Sequence, residues 1–361
     1  MTNAQITEDT PFSPADDCYH PAGDDPLHLE TNWWCFNIPS HAIGCWLHCA
    51  YYPHRNTARI RIFVWDPSGA TPETMTYYKC IDEGVMPSNP DLRDIQFPGG
   101  YALKMIEPLM KYKVDYADPD RDFAVAFTYT AAHPPHRFTP GEAPAMYNPH
   151  IDQLGHFVGV LTLKGERIPI DCWSVRDRTW GPREGAHASS QKKIYAGGGT
   201  RVLNPGGPAW RQIERERGKG RIQYIFGHAD EQTGFLSFVR PQDGDARARS
   251  PLNMGWLLKD GRFTRLDKTR SWMKVWRDPK TGWSEHMEVL LVDREGRSME
   301  AEGLAMSWMS ERAAGANALM RWSFDGRTGW GEDQDGWRPE HFARMHGALT
   351  RRGGAFAGEA S

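Results

Sequence analysis

Val175-Arg176-Asp177-Arg178-Thr179-Trp180-Gly181-Pro182-Arg183 is the stretch on which the reading of this chain turns. These nine residues hold a carboxylate, three guanidinium groups, an indole and a Gly-Pro turn, a mixture that the packing of an ordinary strand or helix does not need. Upstream lies His150-Ile151-Asp152-Gln153-Leu154-Gly155-His156, followed by two strand-like runs, Phe157 to Leu163 and Arg167 to Val175, joined around Lys164-Gly165-Glu166. The pattern predicts a β-hairpin with ionisable groups at both ends.

Outward from the hairpin, helical periodicity is scarce and strand signals recur. Ala58 to Trp65 ends at the turn Asp66-Pro67-Ser68-Gly69, and similar runs cover Tyr101 to Ile106, Tyr112 to Tyr116 and Phe123 to Tyr129. After the signature come Ile222 to Gly227, Gly234 to Val239, Met254 to Leu258, Ser271 to Trp276, His286 to Val292, Met299 to Met306 and Ala318 to Phe324, punctuated by turns such as Asp260-Gly261 and Asp325-Gly326. Short strands at regular spacing point to sandwiches or up-and-down barrels, and no βα alternation supports a Rossmann or TIM fold. The Pro-rich segment His133 to Pro149 reads as a long loop over a barrel mouth, with His133-Pro134-Pro135-His136 at the surface. Gly197 to Gly199 and Asn204 to Pro208 mark the passage into the second half.

The signature resembles that of the lipocalin-like family that includes carotenoid 1,2-hydratase (hydroxyneurosporene synthase) and the AttH-like proteins. There a Tyr-x-x-x-x-x-Gln-x-Gly segment leads through a hairpin to Arg-Asp-(His/Arg)-(Ser/Thr)-Trp-Gly-x-Arg. The matching residues are Tyr147, Gln153, Gly155, Arg176, Asp177, Arg178, Thr179, Trp180, Gly181 and Arg183, with an echo at Gly329-Trp330-Gly331-Glu332. Arg178 stands where relatives often carry histidine, and a guanidinium cannot shuttle a proton at neutral pH. The resemblance extends over about residues 25 to 345 and implies a family of mixed chemistry, with hydratases and fungal pericyclases, so it speaks to fold more than to reaction. The expected architecture is all-β: two consecutive lipocalin-like antiparallel β-barrel or sandwich domains, residues 18–183 and 184–346, with a short C-terminal helix over Pro339 to His346 and a frayed tail.

Composition narrows the function classes. A net charge of -3 provides no basic field for nucleic acid, and the basic run from Arg211 to Arg221 is interleaved with Glu214 and Glu216. No run of about eighteen apolar residues would span a membrane, and Met1 to Pro11 lacks the pattern of a secretory signal. The cysteines, Cys18, Cys35, Cys45, Cys49, Cys80 and Cys172, are irregularly spaced, which fits reduced thiols and a cytoplasmic location. Fifteen tryptophans exceed what an average β core needs and suit the wall of a barrel that holds an apolar ligand, or else fill two sandwich cores.

Asp177 is the candidate acid. Beside an aromatic cavity, desolvation would keep it protonated; paired with Arg176, Arg178 or Arg183 it would instead be a structural clamp, and both readings stay open. His150, Asp152 and His156 sit two and four residues apart, so on an extended segment all three side chains share a face. They are candidates for orienting water or for proton transfer, while a metal site and simple loop hydrogen bonding remain alternatives; no metal and no cofactor is expected. The zinc-ligand atom types in Cys35, His41, Cys45, His48 and Cys49 match no finger spacing. Nucleophile elbows, Walker loops and dinucleotide fingerprints are missing from the sequence. The expectation is a cofactor-independent lyase (hydro-lyase) or isomerase acting on an apolar, unsaturated terpenoid or aromatic molecule, with Trp180, Arg176, Arg183, Tyr147 and Gln153 contacting substrate. The alternative is a lipid- or isoprenoid-binding protein, or a pericyclase. Nothing in the composition opposes a homodimer.

Overall fold

The computed structural model describes residues 11–20, 26, 28–88, 90–118, 120–138, 149–182, 222–239, 249–278, 280–310 and 316–336. Tyr147, Arg183, the basic run, the Gly-rich passage and the segment expected to form a C-terminal helix lie outside the described residues.

Among the described residues, nineteen antiparallel strands form two sheets. The first comprises β1 (His28–Ile38), β2 (Ile43–Tyr52), β3 (Thr57–Trp65), β4 (Tyr77–Val85), β5 (Asp94–Gln96), β6 (Tyr101–Glu107), β7 (Lys111–Asp118), β8 (Phe123–Ala131), β9 (His150–Leu163) and β10 (Glu166–Pro182), in the order β4-β3-β2-β1-β10-β9-β8-β7-β6-β5. The second comprises β11 (Ile222–Asp230), β12 (Thr233–Val239), β13 (Ser250–Lys259), β14 (Arg262–Arg265), β15 (Trp272–Arg277), β16 (Ser284–Val292), β17 (Ser298–Met309), β18 (Asn317–Phe324) and β19 (Arg327–Gly336), in the order β12-β11-β19-β18-β17-β16-β15-β13-β14. Because β12 also pairs with β13, eight of these strands close into a ring. Closure at that size leaves an interior just wide enough for side chains to fill.

The alternation of strand side chains separates three main cores. Inside the first sheet, all ten strands contribute to one cluster that includes Trp34, Phe36, Tyr112, Phe127, Tyr129 and Phe157. Inside the second, Ile225, Phe235, Met273, Met287, Met320 and Trp322 do the same. A third cluster joins the outer faces: Trp33 and Cys35 of β1, Leu154 of β9 and Val175 of β10 pack against Tyr224, Phe226, Leu236, Phe238, Met254, Trp256 and Leu258 of the second sheet, with Phe138 alongside. Burying each large apolar side chain there is worth about 1.5–3 kcal/mol, so this seam is a core in its own right and not a loose contact between domains.

The aromatic excess is therefore spent largely on packing. Trp34, for example, lies within 5.3–6.1 Å of the rings of Tyr112, Phe127 and Tyr129 in the middle of the first sheet. A cavity of about 350 Å³ is lined by Glu302, Leu304, Arg321, Trp322, Ser323 and Thr328, on strands that do not include the signature hairpin.

Candidate active site

The hairpin of β9 and β10 turns at Lys164-Gly165, both with positive φ (52° and 81°), the conformation a tight two-residue connection demands. Both strands run much further than the apolar runs alone suggest, so the signature and the His150 segment are strand and lie directly opposite each other. The register pairs His150 with Thr179, Asp152 with Asp177, and Gln153 with Arg176. Gly155 sits under the ring of Tyr129, where a Cβ would overlap it, and the Tyr129 hydroxyl donates to the Gln153 carbonyl at 2.8 Å.

Alternation then sorts the signature onto two faces. Arg176, Arg178 and Trp180 share the face of Ile170 and Cys172, which point into the first sheet; Asp177 and Thr179 share the face of Val175, which points into the seam. Arg176 and Arg178 are engaged within the first sheet and with Asp17. Arg176 donates from Nε to Gln153 Oε1 at 2.8 Å, reaches Asp17 at 3.3 Å and lies 4.3 Å above the Tyr112 ring. Gln153 in turn donates to the His133 carbonyl at 2.6 Å. Arg178 forms a fully buried ion pair with Glu30 and donates to the Cys18 carbonyl at 2.9 Å. Burial alone would raise the Glu30 carboxyl, but Arg178 and the hydrogen bonds from His20, His28 and Arg178 hold it at about 2. Trp180 stacks on His20 at 4.7 Å and packs with Phe12 and Ile151, so it does not flank Asp177.

On the seam face three of the expected residues converge. His150 Nε2 lies 2.9 Å from Asp152 Oδ2 and 3.4 Å from Asp177 Oδ2, and its Nδ1 lies 2.6 Å from Thr179 Oγ1. Two carboxylate oxygens face one ring nitrogen, so Nε2 carries a proton; a lone pair there would repel both. Thr179 completes the arrangement, because its hydroxyl either donates to a bare Nδ1 or turns to Asp177 Oδ1, 3.4 Å away, when Nδ1 is itself protonated. Thr31 donates to the same Asp177 oxygen at 3.4 Å. Asp152 is shut away, with 1 % of its side chain exposed, whereas Asp177 keeps 19 % and gives the cluster its access to solvent.

His156 is on the same face but further along β9, where it bonds Asp171 at 2.7 Å and stacks on Trp173, apart from the other three. His133, expected at the surface, is buried, its ring 3.6 Å from that of Phe263. The cysteines between Cys35 and Cys49 divide between the seam and the inner core, and all six are free thiols. Among the described residues, His150, Asp152 and Asp177 are the one group of three whose potential metal-ligand atoms gather within 4.8 Å, so an ion would have these donors to use.

The surroundings come from Phe138, between β8 and β9, and from the second sheet, and were out of reach of motif reasoning. Phe138 meets the His150 ring edge-on at 5.0 Å and contacts Trp256 at 4.6 Å; Phe238 lies 6.5 Å from His150 and stacks on Tyr224 at 4.4 Å. The Tyr224 phenol is driven well above its ordinary pKa, first by burial and then by the negative charges of Asp152 and Asp177. The site is thus an imidazole held between two carboxylates, under a phenol and three aromatic rings.

This architecture has solved relatives. An AttH-like protein of Nitrosomonas europaea superposes with a TM-score of 0.54 at 12 % identity, over 93 % of this chain and 100 % of that one. CghA superposes with a TM-score of 0.52 at 9 % identity, over 86 % of this chain and 88 % of that one, and CghA with Sch210972 gives 0.50 at 10 % identity, over 86 % and 89 %. At such identities the likeness is one of fold: the chain has the lipocalin-like architecture of the AttH-like proteins. No curated protein matches it. A family model spans residues 13–198, more than half of the 361 residues and all of the paired strands that carry the cluster, and the chain belongs to that family, described as a domain of unknown function, DUF7064.

Proposed function

We propose that this protein is a hydro-lyase or isomerase that moves protons on an apolar, unsaturated small molecule at the seam between its two sheets. The observation that carries this reading is His150 Nε2 between Asp152 and Asp177, beside the rings of Phe138 and Phe238, with Trp256 packed on Phe138. Asp177, the solvent-reaching carboxyl, exchanges a proton with the substrate; His150 accepts or returns that proton; Asp152 holds the imidazole in place. In hydration, a proton passed from His150 Nε2 to Asp177 adds to one alkene carbon, water adds to the other, and the proton water releases returns to the His150–Asp177 pair, so that H and OH are gained overall. The aromatic faces favour the cationic character that develops between these steps. Loss of a proton in place of water capture gives isomerisation. The lipocalin-like architecture and the lack of nucleophile or dinucleotide motifs in the sequence support chemistry of this kind.

The test is incubation of the protein and of Asp177→Asn with an apolar metabolite extract in oxygen-18 water, read by mass spectrometry. Label entering a compound with the unmodified protein and not with Asp177→Asn is the expected result for hydration. Label entering equally with both removes Asp177 from the chemistry, and tight retention of an unchanged compound by both replaces turnover with ligand binding.

A further inference from the structure

Tyr224 has no part in the proton exchange just described, yet it is a polar group that the second sheet presents to the cluster. It is 6 % exposed, and its hydroxyl lies close enough to Asp152 to feel it as a hydrogen-bonding neighbour and to Asp177 to feel its charge, yet no contact it makes reaches full hydrogen-bond geometry. A buried donor without a well-formed bond costs about 1–3 kcal/mol, so an acceptor placed where the Tyr224 hydroxyl meets it squarely would be held there. Trp33, the cross-strand partner of Asp177 and part of the same seam core, also buries its indole N–H without an acceptor. Two orphaned donors thus border a cluster whose remaining polar groups are anionic or already engaged. Because the phenol is held far from ionisation by burial and by the two carboxylates, it stays a donor across the working pH range.

We infer that the seam selects a substrate bearing a carbonyl or hydroxyl oxygen, held by a hydrogen bond from the Tyr224 hydroxyl, so that the substrate class is an oxygenated aromatic or terpenoid and not a bare hydrocarbon. This rests on the seam being the reaction site. The oxygen sits on the second-sheet side of the cluster, and the unsaturated carbons face Asp177. Tyr224 is then a specificity-determining residue, and the site is complete only when both sheets contribute to it.

Two probes of nearly the same shape test it: 2-acetylnaphthalene, which carries a carbonyl acceptor, and 2-isopropenylnaphthalene, which has a methylene in its place. Titrations followed by tryptophan fluorescence should show the ketone binding at least about tenfold more tightly to the unmodified protein. Tyr224→Phe should bring the ketone down to the affinity of the alkene while leaving the alkene unchanged, which also shows that the variant is folded. The infrared carbonyl stretch of the bound ketone should move to lower frequency in the unmodified protein and not in Tyr224→Phe. Equal affinities in the unmodified protein, an unshifted stretch, or a ketone preference that survives Tyr224→Phe overturns the inference while leaving the seam as an apolar site. If neither probe binds the unmodified protein, the seam itself is wrong as a ligand site.

Discussion

A single ring nitrogen organises the site. His150 Nε2 faces the oxygens of Asp152 and Asp177, and Thr179 faces the other nitrogen, so one proton more or less changes which partner the threonine hydroxyl serves. Asp152→Asn keeps the shape but offers Nε2 an amide in place of a buried anion. In a single-turnover assay it should lower the rate at least about a hundredfold while the melting temperature stays close to that of the unmodified protein. Thr179→Val, which keeps the volume and removes the hydroxyl, should cost about tenfold in rate, with Thr179→Ser restoring most of it; a valine variant as fast as the unmodified protein would show that the hydroxyl has no part in the proton balance. The residues of this cluster were visible in the sequence as types but not as a set. Counting back from a two-residue turn at Lys164-Gly165 places Asp177 opposite Asp152 and Thr179 opposite His150. A turn read over three residues leaves the register open by one, and one residue moves every side chain to the other face.

At the scale of the strand, alternation decides what each signature residue does. Asp177 and Trp180 are three apart and so lie on opposite faces of β10, which is why the indole packs with Phe12 and His20 while the acid points to the seam. The same rule separates Asp177 from Arg176 and Arg178, whose charges are spent inside the first sheet on Asp17 and Glu30. Removing one partner of a buried pair strands the other, so Arg178→Met should destabilise the protein by about 3–5 kcal/mol in urea unfolding. The Glu30 carboxyl, held at about 2 when folded, contributes its stabilisation fully above the ordinary carboxylate pKa and loses it as the pH falls toward 2. Arg178→Met should therefore weaken the stabilising effect of raising the pH through that window; an unchanged acid limb would contradict the pairing. Strand content was legible because β-branched and aromatic runs end at Asp-Gly and Lys-Gly turns. The inner or outer destination of the aromatics was not, since a tryptophan suits a packed core and a ligand wall equally well.

For the whole molecule, the seam between the two sheets is the feature that matters, and residues distant in sequence make it. Phe238 reaches His150, and Tyr224 and Trp256 reach the rings around it, only because the second sheet packs on β1, β9 and β10, and nothing local in the sequence announces that meeting. The echo at Gly329 to Glu332 does have a place there: Glu332 accepts from Cys35 at 2.8 Å and from Trp46 at 2.9 Å, tying β19 to β1 and β2. Burial, and to a smaller extent Asp333, lifts this carboxyl to about 7 against the hydrogen bonds from Cys35, Trp46 and Gln334. The folded protein then holds a proton that the unfolded chain releases near the ordinary glutamate value of about 4.3, so stability falls as the pH rises from there to 7, by up to about 1.4 kcal/mol per pH unit. Glu332→Gln should flatten this slope in urea unfolding between pH 4 and 8, and an unaltered slope would show that the carboxyl does not hold that proton. The most direct measurement places a ligand. Crystals soaked with 2-acetyl-6-bromonaphthalene should show the bromine's anomalous peak in the seam beside Tyr224 and Asp177; a peak inside either barrel, with the seam bare, would contradict the assignment of the chemistry to the surface where the two sheets meet.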